Sequence, residues 1–460
     1  MTMFRRGRAL AAGVLAAGLA LAGGVASATT PASAEPVTIS FLTHWGPDTV
    51  ALLQASVDAY HKDHPNVTVE IKAVPFGDLL TTVRAQAGGS AAPTIAGIYD
   101  LWLPELVRDG IVAPAPDAVA TDVTTNWGAS TASAATVAGS VYGVPNEIDL
   151  YSLNYNKKLF TEAGITAPPK TWDELIAAAE KLTKRDGDTI TQQGFGLINS
   201  WAAGVVHPFA SLLASNGGSL ITDGKPTLDS KQATETFALI ENLVSGVKVT
   251  DPTMGTADAN TAGPFLDNFV SGKTGMIIMA NWWESALKAG MGDDTLADIG
   301  TAPIPVGPSG DGAHSISYSW MTVVSAKASA AEQAAAWDFL TWLNGPTSGK
   351  DGASAMADIL QSMGILPSRT SDVAAYSTKL TRPFMEGYVK ELANAKPFPI
   401  VLGGQEFTEA LQKQIEAIEF GQASAADAQA TAQSDAVSIL EQANPGGATT
   451  AGTTAGTTSG

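Results

Sequence analysis

Cysteine is absent from all 460 residues of the chain. Its absence excludes disulfide bonds, thiolate metal sites and a cysteine nucleophile, and no lipid can be attached to a cysteine in this sequence. Histidine is also scarce, with five residues. Because cysteine and histidine are the usual ligands of zinc and related metals, we expect no metal ion, and we expect no other cofactor.

Basic residues are few compared with acidic ones, with 26 Lys and Arg against 45 Asp and Glu and a net charge of −19. An acidic surface argues against nucleic acid as a partner, because phosphate binding requires clustered Lys and Arg. Charged residues make up 15% of the chain and hydrophobic residues 45%, which is typical of a folded globular protein. The length predicts two core-forming units.

The first 34 residues have the pattern of a secretory signal peptide. Arg5, Arg6 and Arg8 precede a short Ala/Leu/Gly run, and a small-residue cleavage site ends at Ala34. A cut after Ala28 and a retained membrane anchor are the alternatives, and the arginine pair is a weak match to the twin-arginine export signal. Without the three arginines the net charge is −22. We expect secretion to the cell surface or periplasm, and a disordered Gly/Thr-rich tail at 444–460.

The N-terminal part of the mature chain predicts a doubly wound α/β unit. A strand from Val37, an amphipathic helix with Leu53, Val57 and Tyr60 on one face, and a second strand from Asn66 form a βαβ unit. A further strand ends near Tyr99. Ligands of such sheets bind outside the carboxyl ends of the strands. The residues at those ends are His44, Trp45, Asp48, Tyr99, Asp100 and Trp102.

Two segments are predicted to cross between sheets. Pro145 and Asn146 separate two strand-like stretches, which favours a chain that leaves one sheet and enters another. The Pro- and Gly-rich stretch 299–315 predicts a second crossing or a linker. Between them, Thr171 and Glu174 have the spacing of a capping box at the start of a helix.

Seven motifs, in this order along the chain, resemble the family 1 extracellular solute-binding proteins of ABC importers, the maltose-binding-protein-like group. The motifs are YGVP, LNYNKKLFTEAGI, PPKTWDEL, SNGGSLI, FVSGKTGMIIMANWW, AAWDFLTWL and GILPSR. The resemblance implies a two-lobed α/β periplasmic-binding-protein fold, in which each lobe is a doubly wound sheet flanked by helices and a multi-strand hinge joins the lobes. The implied lobe 1 comprises 35–146 and 313–343, and lobe 2 comprises 147–312 and 344–443.

The resemblance also implies a function. A sugar or oligosaccharide would bind in the cleft between the lobes, and the closed form would deliver it to the permease subunits of an ABC transporter in the membrane. The protein would be a monomeric receptor with no enzymatic activity.

Aromatic and acidic residues near the predicted cleft are the candidate ligand contacts, because indole rings stack on sugar rings and carboxylates accept hydrogen bonds from hydroxyls. Each has a structural alternative: core packing for the tryptophans, helix capping for Asp48 and a solvated hinge carboxylate for Asp149. We expect Trp282 and Trp283 to point to opposite sides, so that one of them faces the cleft. We expect His207 to be structural. The candidate contacts are Trp45, Asp48, Asp100, Glu147, Asp149, Trp201, Trp282, Trp283 and Trp320.

Three other classes of function stay open at this point. A cationic solute could use the same acidic residues, and a phosphorylated polyol would require basic ones that the candidate set lacks. A secreted glycoside hydrolase would also combine carboxylates with tryptophans, but Glu147 and Asp149 are neighbours on one strand and do not flank a bond. A structural or adhesive role at the cell surface is the third alternative.

Overall fold

Two β-sheets, one of five strands and one of eight, organise the chain in the computed structural model, which describes residues 35–89, 92–257, 263–292 and 296–445. Pro36 and the described residues after it belong to one compact unit. The predicted signal peptide and the part of the predicted tail from residue 446 lie outside the described residues. The strands are β1 Val37–Thr43, β2 Val67–Ala73, β3 Ile95–Tyr99, β4 Thr136–Val137, β5 Ser140–Val141, β6 Gly143–Pro145, β7 Glu147–Asn156, β8 Lys184–Asp186, β9 Thr189–Gly196, β10 Ile221–Thr222, β11 Lys225–Pro226, β12 Thr274–Ala280, β13 Ile299–Ala302, β14 Ile316–Tyr318, β15 Trp320–Val324, β16 Leu366–Pro367 and β17 Lys396–Pro397.

Helices cover both sheets. No helix among the described residues is both long enough and apolar enough to span a membrane. The helices are α1 Pro47–Asp63, α2 Phe76–Gln86, α3 Leu103–Arg108, α4 Asp117–Asn126, α5 Ala129–Ala134, α6 Lys157–Glu162, α7 Trp172–Leu182, α8 Ala202–Ser215, α9 Lys231–Glu241, α10 Pro264–Val270, α11 Glu284–Met291, α12 Ala330–Leu343, α13 Ala355–Ser362, α14 Thr370–Ala375, α15 Glu386–Leu392, α16 Gly404–Glu419 and α17 Ala425–Ala443.

The five-stranded sheet, in the order β2-β1-β3-β15-β6, confirms the predicted βαβ unit. β1 pairs in parallel with β2 through their full length. Leu53, Val57 and Tyr60 are the buried residues of α1, as its periodicity predicts. We call this sheet and its helices the five-stranded lobe.

The eight-stranded sheet is built around two central strands. β12 is buried along its whole length and lies between β7 and β9. β7, with ten residues, pairs at successive positions with β16, β14, β12 and β13. We call this sheet and its helices the eight-stranded lobe.

Two of the crossings between the sheets occur at single residues. Asn146 separates β6 of the five-stranded sheet from β7 of the eight-stranded sheet, which confirms the first predicted crossing. Of the two predictions for 299–315, the linker is confirmed and the crossing is wrong, because β13 and β14 both pair with β7 and the crossing comes after them, at Ser319. The segment 313–343, which the resemblance assigned to lobe 1, is therefore divided between the sheets. β14 lies in the eight-stranded sheet and β15 in the five-stranded sheet.

The start of α7 differs in one detail from the predicted capping box. The Thr171 hydroxyl accepts a hydrogen bond from the backbone N–H of Glu174, as expected. The Glu174 carboxylate, however, accepts from the backbone N–H of Lys170, at 2.6 Å, one residue before the predicted partner. Both bonds satisfy donors near the helix start, so the cap keeps its stabilising effect.

We predict that Gly194→Ala destabilises the eight-stranded lobe. A Cβ at Gly194 on β9 would lie 1.9 Å from the backbone carbonyl oxygen of Ala179 on α7, so the helix would have to move away from the sheet. Overpacking of this kind costs about 1–3 kcal/mol. Thermal unfolding should show a lower Tm for Gly194→Ala. Gly88→Ala is the control, because a Cβ there meets no atom within 4 Å. An unchanged Tm for both variants would contradict the packing of α7 on β9.

Candidate ligand-binding site

Three acidic side chains, Asp100, Glu147 and Asp149, are buried where the chain crosses between the sheets. Asp100 directly follows β3, and the other two lie two residues apart on β7, so they share one face of that strand. Their exposed fractions are 2%, 4% and 1%. We call these residues the acidic cluster.

Ser319, the second crossing residue, connects the acidic cluster to the backbone. Its N–H donates to Asp100 Oδ2 at 2.7 Å, and its hydroxyl donates to the Glu147 carbonyl oxygen at 2.7 Å. Ser319 therefore holds Asp100 of one lobe and the backbone of Glu147 of the other in place. The position of the acidic cluster follows from the geometry of this crossing.

Burial makes the charged forms of these acids unfavourable. Loss of hydration raises the pKa of Asp100 to about 8 and the pKa of Asp149 to about 7. It also raises the pKa of Glu147 well above its ordinary value, and the negative charge of Asp149 raises it further. The ion pairs of the described residues include none of the three acids.

Aromatic rings from both lobes surround the acidic cluster. Phe76 of the five-stranded lobe lies 6.4 Å from Trp201 of the other lobe, and Tyr99 lies 5.3 Å from Tyr318, between ring centroids. Aromatic pairs at these separations stabilise a contact beyond the area that they bury. We define the aromatic cluster by its members, which are His44, Phe76, Tyr99, Trp102, Trp201, Trp282, Trp283, Tyr318 and Trp320.

His207 links the two lobes by hydrogen bonds. Its Nε2 lies 2.8 Å from the Tyr99 hydroxyl of the five-stranded lobe, and its Nδ1 lies 3.0 Å from the Tyr151 hydroxyl of β7. Burial lowers the pKa of His207 to about 3, so the ring is neutral, with one nitrogen donating and the other accepting. His207 therefore has a structural role, as expected, and that role is to hold the two lobes in contact.

Trp282 and Trp283 do not follow the predicted alternation. β12 ends at Ala280, and both tryptophans lie on a single 3₁₀ turn, Asn281–Trp283. Their rings are 4.1 Å apart between centroids, and both lie near Trp201. The expectation of opposite sides is wrong because it extended the strand too far.

The two tryptophans nevertheless differ in environment. Trp283 is 7% exposed and packs against Phe265, whereas Trp282 is half-buried. Trp282 Nε1 donates to the Tyr318 hydroxyl at 2.7 Å, and Tyr318 is the cross-strand partner of Asp149. Trp282 is therefore the member of the pair that is connected to the acidic cluster.

The other candidates divide into two groups. Trp201 and Trp320 are half-buried members of the aromatic cluster, and Trp320 stacks on Tyr99 at 6.1 Å. Trp45 and Trp320 line one cavity together with His44 and Asn146. Asp48 lies apart, exposed in the first turn of α1. The alternative role for Asp48 is not observed either, since Gly46 is the N-cap of α1 and no side chain caps it.

Sequence reasoning missed Phe76, Asn281, Tyr318 and Ser319. Phe76 follows β2 and so occupies the same edge of the sheet as the residues after β1 and β3. The rule that ligands bind at the carboxyl ends of strands could have found it. Ser319 and Tyr318 could not be found this way, because their position depends on where β14 ends.

We predict that Asp100→Asn weakens the pH dependence of stability. The pKa of an unfolded aspartate is about 4, and burial raises it to about 8 in the folded protein. The folded state therefore holds this proton more tightly, so its stabilising contribution is complete below about pH 4 and is lost as the pH rises towards 8.

Thermal unfolding from about pH 5 to 9 checks this prediction. The wild type should lose Tm across the range, and Asp100→Asn should lose less, by roughly 2 °C or more. Asp117→Asn, an exposed acid in the first turn of α4, is the control and should follow the wild type. A parallel decline in all three proteins would contradict the protonation of Asp100.

The two sheets and their helices define a class of fold, the two-lobed α/β binding-protein fold. The sequence agrees with this class. The chain belongs to the family of bacterial extracellular solute-binding proteins, whose model matches residues 46–350, more than half of the chain. The resemblance drawn from the seven motifs, and the α/β two-lobed fold that it implies, are confirmed.

Three similar proteins illustrate the family. A binding protein from Brucella abortus (strain 2308) is 26% identical over 79% of this chain and 83% of its own length. The maltotriose-binding protein of Pyrococcus abyssi is 24% identical over 64% of this chain and 60% of its own length. The GacH receptor of Streptomyces glaucescens, solved unliganded and with acarbose, has the same fold, with a TM-score of 0.74, 24% identity and coverage of 88% of this chain and 98% of that one.

Proposed function

We propose that the protein is the substrate-binding receptor of an ABC importer and that it takes a sugar or oligosaccharide between its two lobes. The observation that carries this proposal is the convergence of rings and carboxyl groups from both sheets at the crossings. Rings offer apolar faces to the C–H faces of a sugar, and carboxyl oxygens accept from its hydroxyls.

The printed descriptions of the similar proteins support a carbohydrate. One relative is named for maltotriose, and one structure of the same fold holds acarbose. The candidate contacts in this chain that suit such a ligand are Trp45, Trp201, Trp282 and Trp320, with Asp100, Glu147 and Asp149 as polar partners. Trp283 would support the ring of Trp282.

Binding would act through closure of the lobes. A ligand favours the closed form only by its greater affinity for that form, and it gains this affinity by touching both lobes at once. The bond between Tyr99 and His207 and the ring contact between Phe76 and Trp201 join the lobes at the site. The closed form would then deliver its solute to permease subunits in the membrane, as a secreted monomer at the cell surface or in the periplasm.

A hydrolase is the less favoured alternative. Its two carboxyl groups would have to flank the scissile bond at a separation of about 5 Å or more. Glu147 and Asp149 are instead within hydrogen-bonding contact of each other, and this contact affects the pKa of both groups. The geometry suits a shared ligand contact better than two opposed catalytic groups.

We predict that Trp282→Ala weakens binding of the best sugar at least about tenfold, a loss of about 1.4 kcal/mol, because it removes a stacking surface beside the acidic cluster. The sugar is first identified by thermal-shift screening of mono- and oligosaccharides, since a bound ligand raises Tm. Isothermal titration then gives the affinity of each variant.

Trp342→Ala is the matched control, because Trp342 is also half-buried but packs against Tyr60 and Phe339 on the outer side of the five-stranded lobe. It should bind the sugar like the wild type. Equal affinity for Trp282→Ala and wild type would remove Trp282 from the site, and the absence of any carbohydrate that raises Tm would contradict the proposed function.

A further inference from the structure

The three acids of the acidic cluster can become charged with one sign only. Its ionisable neighbours are Tyr99, Tyr151, Tyr318 and His207, and burial raises the pKa of each phenol and lowers that of the imidazole. All four are therefore neutral near neutral pH. Among the described residues, no Lys or Arg forms an ion pair with any of the three acids. The protein itself thus supplies no positive partner for these carboxyl groups.

Two buried carboxyl oxygens at the cluster also have no hydrogen-bond partner. They are Asp100 Oδ1 and Asp149 Oδ1. Asn281 beside them is fully buried, and its Oδ1 accepts from the Leu150 N–H at 2.8 Å, which fixes the orientation of its amide. That amide interacts with Asp149 and lowers the pKa of the acid. Unpaired buried acceptors are costly, so the two oxygens point to a ligand that donates to them.

The chemistry of the surroundings restricts what that ligand can be. A metal ion does not suit the site, because the described residues contain no group of three or more acidic or histidine side chains placed to hold one. Ring faces of Tyr99, Tyr318 and Trp320 lie beside the acids, and such faces attract organic cations. A neutral hydroxyl can donate to one carboxyl group but does little to stabilise the ionised form of the buried acids, whereas a cation stabilises it directly.

We propose that the solute is a carbohydrate that carries a protonated amine, with the ammonium group at Asp100 and Asp149 and its ring against Trp282 or Trp320. This inference rests on the proposed function, namely that the chain binds a carbohydrate between its lobes. Binding of the cation stabilises the ionised acids, so the carboxyl proton that the free protein holds passes to the solvent.

Matched sugars test the proposal. We would compare glucose with glucosamine and N-acetylglucosamine, galactose with its two amino counterparts, and the β-1,4-linked dimers cellobiose, diglucosamine and diacetylchitobiose. Each set keeps the ring and changes only the 2-substituent between hydroxyl, ammonium and acetamide. The amine of the best set should bind at least tenfold more tightly than both neutral members, in isothermal titration at about pH 6.5, where the amines are charged.

Proton release is an independent readout. Titration in two buffers of different ionisation enthalpy should show roughly one to two protons released per amino sugar bound, because the pKa values of Asp100 and Asp149, both largely protonated in the free protein, fall on binding. A neutral sugar should release close to none. Release that is equal for the amine and the neutral sugar would overturn the proposal.

Substitutions in the acidic cluster test whether Asp100 and Asp149 cause the preference for the amino sugar. Asp149→Asn and Asp100→Asn should each reduce the preference for the amine at least tenfold while leaving the neutral sugar affected much less. Asp372→Asn is the matched control, since Asp372 is also buried with a raised pKa but its carboxylate accepts from Ser354 and is not part of the acidic cluster. It should keep the preference for the amine.

The outcomes separate this inference from the proposed function. A neutral sugar that binds as tightly as its amine overturns the amine requirement and leaves the receptor function intact. An amine preference that persists in both cluster variants overturns the assignment to Asp100 and Asp149. Failure of every carbohydrate, charged or neutral, to bind overturns both proposals.

Discussion

The burial of three carboxyl groups at the points where the chain crosses between its sheets is the constraint on which the site depends. An isolated buried carboxylate is very costly, so these groups must be protonated or must meet a positive partner. The geometry of the crossing keeps these acids buried, because Ser319 binds Asp100 of one lobe and the backbone of Glu147 of the other. The site and the hinge are therefore built from the same few residues.

The rings around the acidic cluster come from both lobes. Phe76 and Tyr99 come from one sheet, and Trp201 and Tyr318 from elements of the other. Neither lobe alone surrounds the carboxyl groups. In the proposed function, a solute would make its full set of contacts only when the lobes meet, and binding would become a change of shape that a membrane partner could recognise.

The sequence predicted the regular elements well and the details at their ends poorly. The burial of Leu53, Val57 and Tyr60 follows from helical periodicity, and Asn146 follows from the break between two strand patterns. The Trp282 and Trp283 geometry was wrong, because the residue at which β12 stops depends on pairing with β7, which no local pattern encodes. Asp100 and Asp149 remain predicted ligand contacts, and their raised pKa values depend on burial by distant segments. Asp48, predicted by the same rule, is exposed.

A crystal structure of the protein with its tightest-binding carbohydrate would test the central claim most directly. The account predicts that the solute lies between the two sheets, with a polar atom within hydrogen-bonding distance of Asp100 or Asp149 and a ring face against Trp282 or Trp320. A carbohydrate bound on the outer surface of either lobe, with the three carboxyl groups still buried and untouched, would contradict it.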